Sequence, residues 1–183
     1  MSVLAAVAAG TMLASGAAGA SVAAKAKKVS TEKYAKVVCL NTSRREAAID
    51  GFIDAYNTGT FDDPVPFQSE VIALGDDLVA ELTRVVAKLK KVYPDIDHGK
   101  KVGKGFVAGV VQYRTPITDA LEKFAAADPN GVAFQADIST FQVAIKLLKV
   151  GNTNPFTEVD DQDLLGAFAD EKACDDVVTI SRT

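Results

Sequence analysis

The sequence predicts an all-α protein, a single-domain bundle of four to five helices closed by one disulfide between the first and last helices. Apolar residues recur with the helical period of 3.6 in several separate segments. No alternating strand pattern extends beyond a few residues. Two cysteines, Cys39 and Cys174, lie near opposite ends of the chain and can join its first and last elements.

The longest amphipathic segment covers residues 71–93. Its charged side runs from acidic to basic, which suits the helix macrodipole. The prolines of the preceding linker and Pro94 predict a helix from about residue 67 to 92. A wide apolar stripe makes this helix the predicted central strut of the bundle, and its members are Val71, Leu74, Leu78, Leu82, Val85, Leu89 and Val92.

Length and charge limit the classes of function. A chain of 183 residues suits one domain with a real core. The formal net charge is −4 and the pI is about 5.0. Basic residues are scattered among acidic ones, so no nucleic-acid partner is predicted.

Residues 1–24 contain no charged side chain and combine an apolar run with small residues. This pattern is typical of a signal peptide cut after about residue 20 or 24, which leaves residues 25–183 as the helical domain. A retained membrane anchor or a disordered Ala-rich tail are the alternatives. The run is shorter than the roughly 20 apolar residues that span a membrane. We therefore expect a secreted, periplasmic or cell-envelope protein without a stable membrane span in the mature chain.

The two cysteines agree with export. They show neither C-x-x-C nor Cys/His metal-ligand spacing. In an oxidising compartment, Cys39 and Cys174 are expected to form a disulfide. Two unrelated buried thiols are the alternative.

The first helix is predicted to begin near Ser30, with an interruption at residues 40–42. Ser43 and Glu46 match a capping box that would start a second helical piece, which ends at Gly59. Residues 41–43 also match the N-glycosylation sequon, but a three-residue match is common by chance, and the predicted helix start accounts for the same residues.

Residues 95–105 are polar and rich in glycine and lysine, and they predict a flexible basic turn. Neither a P-loop nor a calcium loop fits their spacing. His98 is the only histidine of the chain. A solvated side chain is expected there, with an axial or metal ligand as the alternative.

Helical spacing returns from Phe106, with Pro116 expected to bend or divide the helix. A turn at 128–131 precedes another helix, whose inner face is Phe134, Ile138, Phe141, Ile145 and Leu148. The last segment opens with Asp160, Asp161 and Asp163 and turns Leu164, Leu165 and Phe168 inward. Carboxylates in this position cap a helix, and calcium binding is the alternative.

No catalytic, metal-binding or cofactor-binding residues are predicted. The motifs Gly-x-Ser-x-Gly and His-Glu-x-x-His are absent from the sequence. With one histidine and two cysteines that are expected to pair, the chain has few residues from which a Ser/His/Asp or Cys/His site could form. An enzyme with an unrecognised carboxylate site stays an alternative.

This outline is similar to that of small exported helical proteins of the bacterial cell envelope. The resemblance is one of architecture only and transfers no residue-level role. Since no catalytic group is recognised, the leading hypothesis is a non-enzymatic exported module that binds an envelope or extracellular protein. The second hypothesis is a carrier of an apolar small molecule or haem in a cavity between helices. Candidate contacts around such a cavity are Tyr34, Tyr56, His98 and Tyr113.

Overall fold

The computed structural model describes residues 25–59, 63–150, 156 and 159–175. Within these ranges the chain forms five α-helices, a short 3-10 helix and two three-residue strands, so the prediction of an all-α bundle is confirmed. The predicted leader, the linker residues 60–62 and the tail after residue 175 lie outside the described residues. The elements are β1 (Lys27–Val29), α1 (Thr31–Thr58), α2 (Pro64–Leu89), β2 (Val92–Pro94), α3 (Gly99–Ala126), α4 (Phe134–Val150), α5 (Gln162–Asp170) and the 3-10 helix Lys172–Cys174.

Helix α1 begins where predicted but is continuous. The Ser30 hydroxyl accepts a hydrogen bond from the Lys33 amide at 3.4 Å and caps the helix. The predicted interruption at 40–42 is wrong. The Asn41 side-chain amide donates to the Val37 carbonyl at 2.6 Å, so this polar group is accommodated on the helix.

Helix α2 is shifted toward the N-terminus relative to the prediction. The Asp63 side chain accepts from the Val65 amide, and Pro64 occupies the first turn, where its missing N–H costs nothing. The helix ends at Leu89 because the following residues leave it to pair as a strand. Five residues of its apolar stripe are buried, namely Val71, Leu78, Leu82, Val85 and Leu89, whereas Leu74 is partly buried and Val92 belongs to β2. The helix packs against both α1 and α3, which is the position predicted for the central strut.

The strands β1 and β2 form a parallel pair that the sequence did not predict. Lys27 pairs with Val92 and Val29 with Pro94. Backbone hydrogen bonds extend the pairing on both sides, from the Lys27 amide to the Lys91 carbonyl and from the Asp95 amide to the Val29 carbonyl. Three-residue strands are too short to show alternation, and their partners lie far apart in sequence.

Helix α3 begins at Gly99, so the prediction of a flexible turn through residue 105 is wrong for the second half of that segment. Gly99 and Gly103 are buried against β2 and continue the inner face of the helix. A Cβ atom on Gly99 would lie 2.0 Å from the Pro94 carbonyl oxygen. The helix also continues through Pro116, so it is not divided there.

The end of α3 and the start of α4 agree with the predicted turn. The Gly131 amide donates to the Asp128 carbonyl at 2.9 Å. The buried Gln68 side chain of α2 donates to the carbonyls of Phe124 and Ala127, which lie at the open end of α3. Four predicted inner residues of α4 are buried, namely Phe134, Ile138, Phe141 and Ile145, whereas the Leu148 side chain lies outside the described residues.

The disulfide between Cys39 and Cys174 is present, as predicted. It joins α1 to the 3-10 helix that follows α5, and both cysteines are buried. Leu164 and Phe168 of α5 are buried beneath it, whereas Leu165 is partly buried. The C-terminal segment is therefore fixed to the first helix by a covalent bond and by apolar packing.

Candidate binding groove

A groove of about 520 Å³ lies where the end of α2, strand β2 and the first half of α3 meet. Residues 25 and 26, just before β1, lie at its edge. Its volume is within the roughly 300–1,000 Å³ range of small-molecule sites. The lining consists of Lys25, Ala26, Leu89, Lys90, Val92, Tyr93, Lys100, Gly103, Lys104, Val107, Ala108 and Val111.

The apolar floor of the groove comes from α3 and β2. Val107 and Val111 are one helical turn apart on α3 and are partly buried. Val92 and Tyr93 of β2 also line the groove and are partly buried. Gly103 allows this close approach, because a Cβ atom there would lie 3.2 Å from the Tyr93 Cβ.

Four exposed lysines form the rim of the groove: Lys25, Lys90, Lys100 and Lys104. The Lys100 Nζ lies 5.6 Å from the centroid of the Tyr93 ring, within the range of a cation–π contact. The ion pairs among the described residues use other cations, namely Lys28, Arg45 and Arg84. Among the described residues, these ion pairs therefore include none of the four rim lysines.

The absence of acidic residues separates this groove from other clefts. No Asp or Glu occurs among its lining residues. Three other clefts in the described part of the chain each include at least two carboxylates in their lining. In a protein of net charge −4, this is a local concentration of positive charge beside an apolar floor.

The predicted tyrosine contacts lie elsewhere. Tyr34, Tyr56 and Tyr113 are at most 5% exposed and are core residues. Tyr34 packs edge-on against Phe106, and the Arg45 guanidinium lies 5.2 Å from the centroid of the Tyr113 ring. Burial raises the pKa of all three phenols. None of these tyrosines lines the cleft that His98 lines or any of the other three clefts described for the chain, so the structure does not place them with His98 in one of these clefts.

His98 lies immediately before α3 with a positive φ of 58°. It lines a cleft of about 340 Å³ together with Asp97, Lys101 and Asp160, so the structure does bring His98 near one residue of the acidic cluster. Within the described ranges, no group of three or more His, Cys, Asp or Glu side chains is arranged to hold a metal ion.

The other two aspartates of the cluster have separate surroundings. Asp161 caps α5, and its carboxylate accepts from the Leu164 amide at 2.9 Å, as the capping interpretation predicted. Asp163 lines an open acidic depression with Glu32, Asp95, Asp170 and Glu171. The cluster is therefore divided between helix capping and two different surfaces.

The sequence analysis predicted none of the groove residues as ligand contacts, although one signal for them was available. Lys100, Lys104, Val107 and Val111 have helical spacing and share one face of α3. Because residues 99–105 were predicted to form a turn, Lys100 and Lys104 were not recognised as part of the same helix face as Val107 and Val111. The contributions of residues 25 and 90 depend on the strand pairing and carry no local signal.

No protein-family model, curated protein sequence or solved structure matches this chain. None of the helices in the described part is both long and apolar enough to cross a bilayer.

Proposed function

We propose that this protein is a non-enzymatic carrier that acts after export and holds an apolar small molecule in the groove between α2, β2 and α3. The observation that carries this proposal is the groove itself, a concave apolar surface of about 520 Å³. Concave, mostly apolar sites of this size are typical of small-molecule binding.

The floor residues supply the free energy of binding. Val92, Tyr93, Val107 and Val111 are only partly buried, so a ligand can still remove apolar surface from water. Each 100 Å² covered contributes roughly 2.5 kcal/mol before the cost of immobilising the ligand.

A small molecule suits this groove better than a protein partner does. Stable protein interfaces cover about 800 Å² on each side and are usually broad. The groove is instead confined between two helices and one strand. Export is supported by the uncharged leader sequence and by the disulfide, since disulfides persist mainly in oxidising compartments.

Native mass spectrometry of the exported protein, purified without refolding, tests the proposal. We expect a bound mass that organic extraction removes and that corresponds to an apolar small molecule. The same measurement identifies the mature N-terminus.

A groove-filling variant tests the location. Ala108 is exposed at the groove, so Ala108→Trp should fill it without disturbing the core. Ala87→Trp, on the exposed side of α2, is the matched control. We expect a neutral apolar dye such as Nile red to bind the wild type and the control with 1:1 stoichiometry, and the Ala108→Trp variant at least tenfold more weakly. Equal binding by all three proteins, or no binding to any, contradicts the proposal.

A further inference from the structure

We infer that the groove selects a single-chain amphiphile with an anionic head group. This inference rests on the proposed function and adds the chemical class of the ligand. It follows from the arrangement of the rim lysines relative to the apolar floor.

The cations reach the groove from three separate parts of the chain. Lys100 and Lys104 are one turn apart on α3, Lys90 follows α2, and Lys25 precedes β1. Lys100 and Lys104 can contact one head group at the start of α3, whereas the pairing of β1 with β2 places Lys25 and Lys90 farther along the groove, beside the part of α3 that carries Val107. An anionic head group would make charge-assisted hydrogen bonds with these ammonium groups, which are stronger than those of a neutral head group, and a cationic head group would be repelled.

The positions of Lys100 and Lys104 are unfavourable for the protein alone. Lys100 lies in the first turn of α3, where the helix dipole favours anions, and that turn contains no acidic residue. Lys100 and Lys104 also repel each other as like charges at positions i and i+4. A bound anion would relieve both effects, which is why we assign the rim to ligand recognition.

The groove also has a direction. Along α3, the charged positions 100 and 104 come first, and the apolar positions Val107 and Val111 follow. A head group near Lys100 and Lys104 therefore places its alkyl chain over Val107 and Val111, where the chain passes the alkyl stems of Lys25 and Lys90. The volume of about 520 Å³ suits one chain better than the two chains of a membrane phospholipid.

Head-group preference is tested by isothermal titration calorimetry with four ligands that share one alkyl chain. The ligands are dodecanoate, dodecyl phosphate, dodecanol and dodecyltrimethylammonium, each used below its micelle concentration. The protein is the exported form, purified without truncation of the helical domain. We expect both anions to bind at least fivefold more tightly than dodecanol at low salt, since several exposed charge contacts together reach this size. The ratio between the two anions distinguishes a carboxylate from a phosphate head group.

Salt separates the charge effect from the apolar effect. We expect the advantage of the anions over dodecanol to shrink at 0.5 M NaCl, because exposed charges are then screened. The affinity for dodecanol should not fall.

The rim is tested with the triple variant Lys90→Gln, Lys100→Gln and Lys104→Gln. We expect it to bind dodecanoate no more tightly than dodecanol, while its affinity for dodecanol stays within twofold of the wild type.

The matched control removes the same number of charges from lysines outside the groove lining, through Lys88→Gln, Lys91→Gln and Lys101→Gln. We expect it to keep the preference for anions. Equal binding of all four ligands to the wild type would overturn the head-group inference and leave the carrier proposal standing. If even dodecanol does not bind, the carrier proposal itself fails.

Discussion

The Cα atoms of Cys39 and Cys174 lie 5.0 Å apart although the two residues are separated by 135 positions in the sequence, and a disulfide joins them. The bond connects the first third of α1 to the segment after α5. It closes a loop that contains every helix between them, and both cysteines are shielded from solvent.

Loss of this bond should strongly destabilise the fold. The chain-entropy account gives a contribution of about 5 kcal/mol for a loop of this length. We expect the double variant Cys39→Ala and Cys174→Ala to lose stability of this order in urea unfolding followed by circular dichroism. The wild type unfolded with a reductant present is the control, and it should move in the same direction. An unchanged urea midpoint in both experiments would contradict the prediction.

Two glycines of α3 should respond in opposite ways to alanine. A Cβ atom at Gly99 would lie 2.0 Å from a backbone oxygen of β2, whereas nothing lies within 4 Å of the same atom at Gly105. We expect Gly99→Ala to destabilise the protein by about 1–3 kcal/mol because the backbone must shift. Gly105→Ala should stabilise it by up to about 1 kcal/mol, since alanine favours the helix. Thermal unfolding of both variants tests this prediction, with a lower Tm expected for Gly99→Ala and a higher Tm for Gly105→Ala. Equal shifts in Tm would be inconsistent with the packing of α3 on β2.

Stability should fall in alkaline solution because of the buried tyrosines. Burial raises the pKa of Tyr34 above its ordinary value of 10.0, so the folded state keeps a proton that the unfolded state releases. The stabilisation is therefore complete below pH 10 and is lost as the pH rises further. At pH 11 the expected loss is about 1.4 kcal/mol for Tyr34.

Tyr34→Phe isolates this effect. The variant should lose about 1.4 kcal/mol less than the wild type between pH 8 and pH 11, whatever its stability at pH 8. Urea midpoints at the two pH values give the comparison. The same loss in both proteins would show that Tyr34 does not contribute.

The pairing of β1 with β2 should matter for ligand binding. The β1 strand is short and largely exposed, and the adjoining residues 25 and 26 form part of the groove edge. Lys27→Pro removes the amide that donates to the Lys91 carbonyl. We expect Nile red binding to weaken about threefold to tenfold, which corresponds to about 1 kcal/mol for one hydrogen bond.

The free energy of unfolding of Lys27→Pro, measured in urea, should fall by about 1 kcal/mol or less, which is the value of the one backbone hydrogen bond that is lost. Lys33→Ala, at an exposed position in the first turn of α1, is the control and should leave binding unchanged. Unaltered dye affinity in Lys27→Pro would mean that β1 has no part in the groove.

The helices were predictable because their information is local. Residues 134, 138, 141 and 145 repeat at helical spacing, and all four are buried in α4. Ser30 and the turn at 128–131 likewise carry their own signals in side chains that bond nearby backbone groups. The prediction failed at residues 99–105, because glycine was treated as a helix breaker. At Gly99 and Gly103 it is instead the residue that allows α3 to approach β2.

The groove could not be predicted because its parts share no local pattern. Lys25, Lys90 and Lys104 are far apart in the chain, and each one alone resembles an ordinary surface lysine. Only the strand pairing and the packing of α3 place them on one rim. The tyrosines were candidate ligand contacts because a phenol combines an aromatic ring with a hydroxyl group. In the structure their large apolar rings are buried in the core, where they are removed from water.

By itself, the sequence determined that this protein is a helical bundle and that its two cysteines can pair, since helical period and cysteine number are properties of the chain alone. Tertiary structure decided where β1 lies, how far α3 extends toward β2 and which lysines meet around an apolar floor. These features depend on contacts between residues distant in sequence, and such contacts form only when the helices have packed.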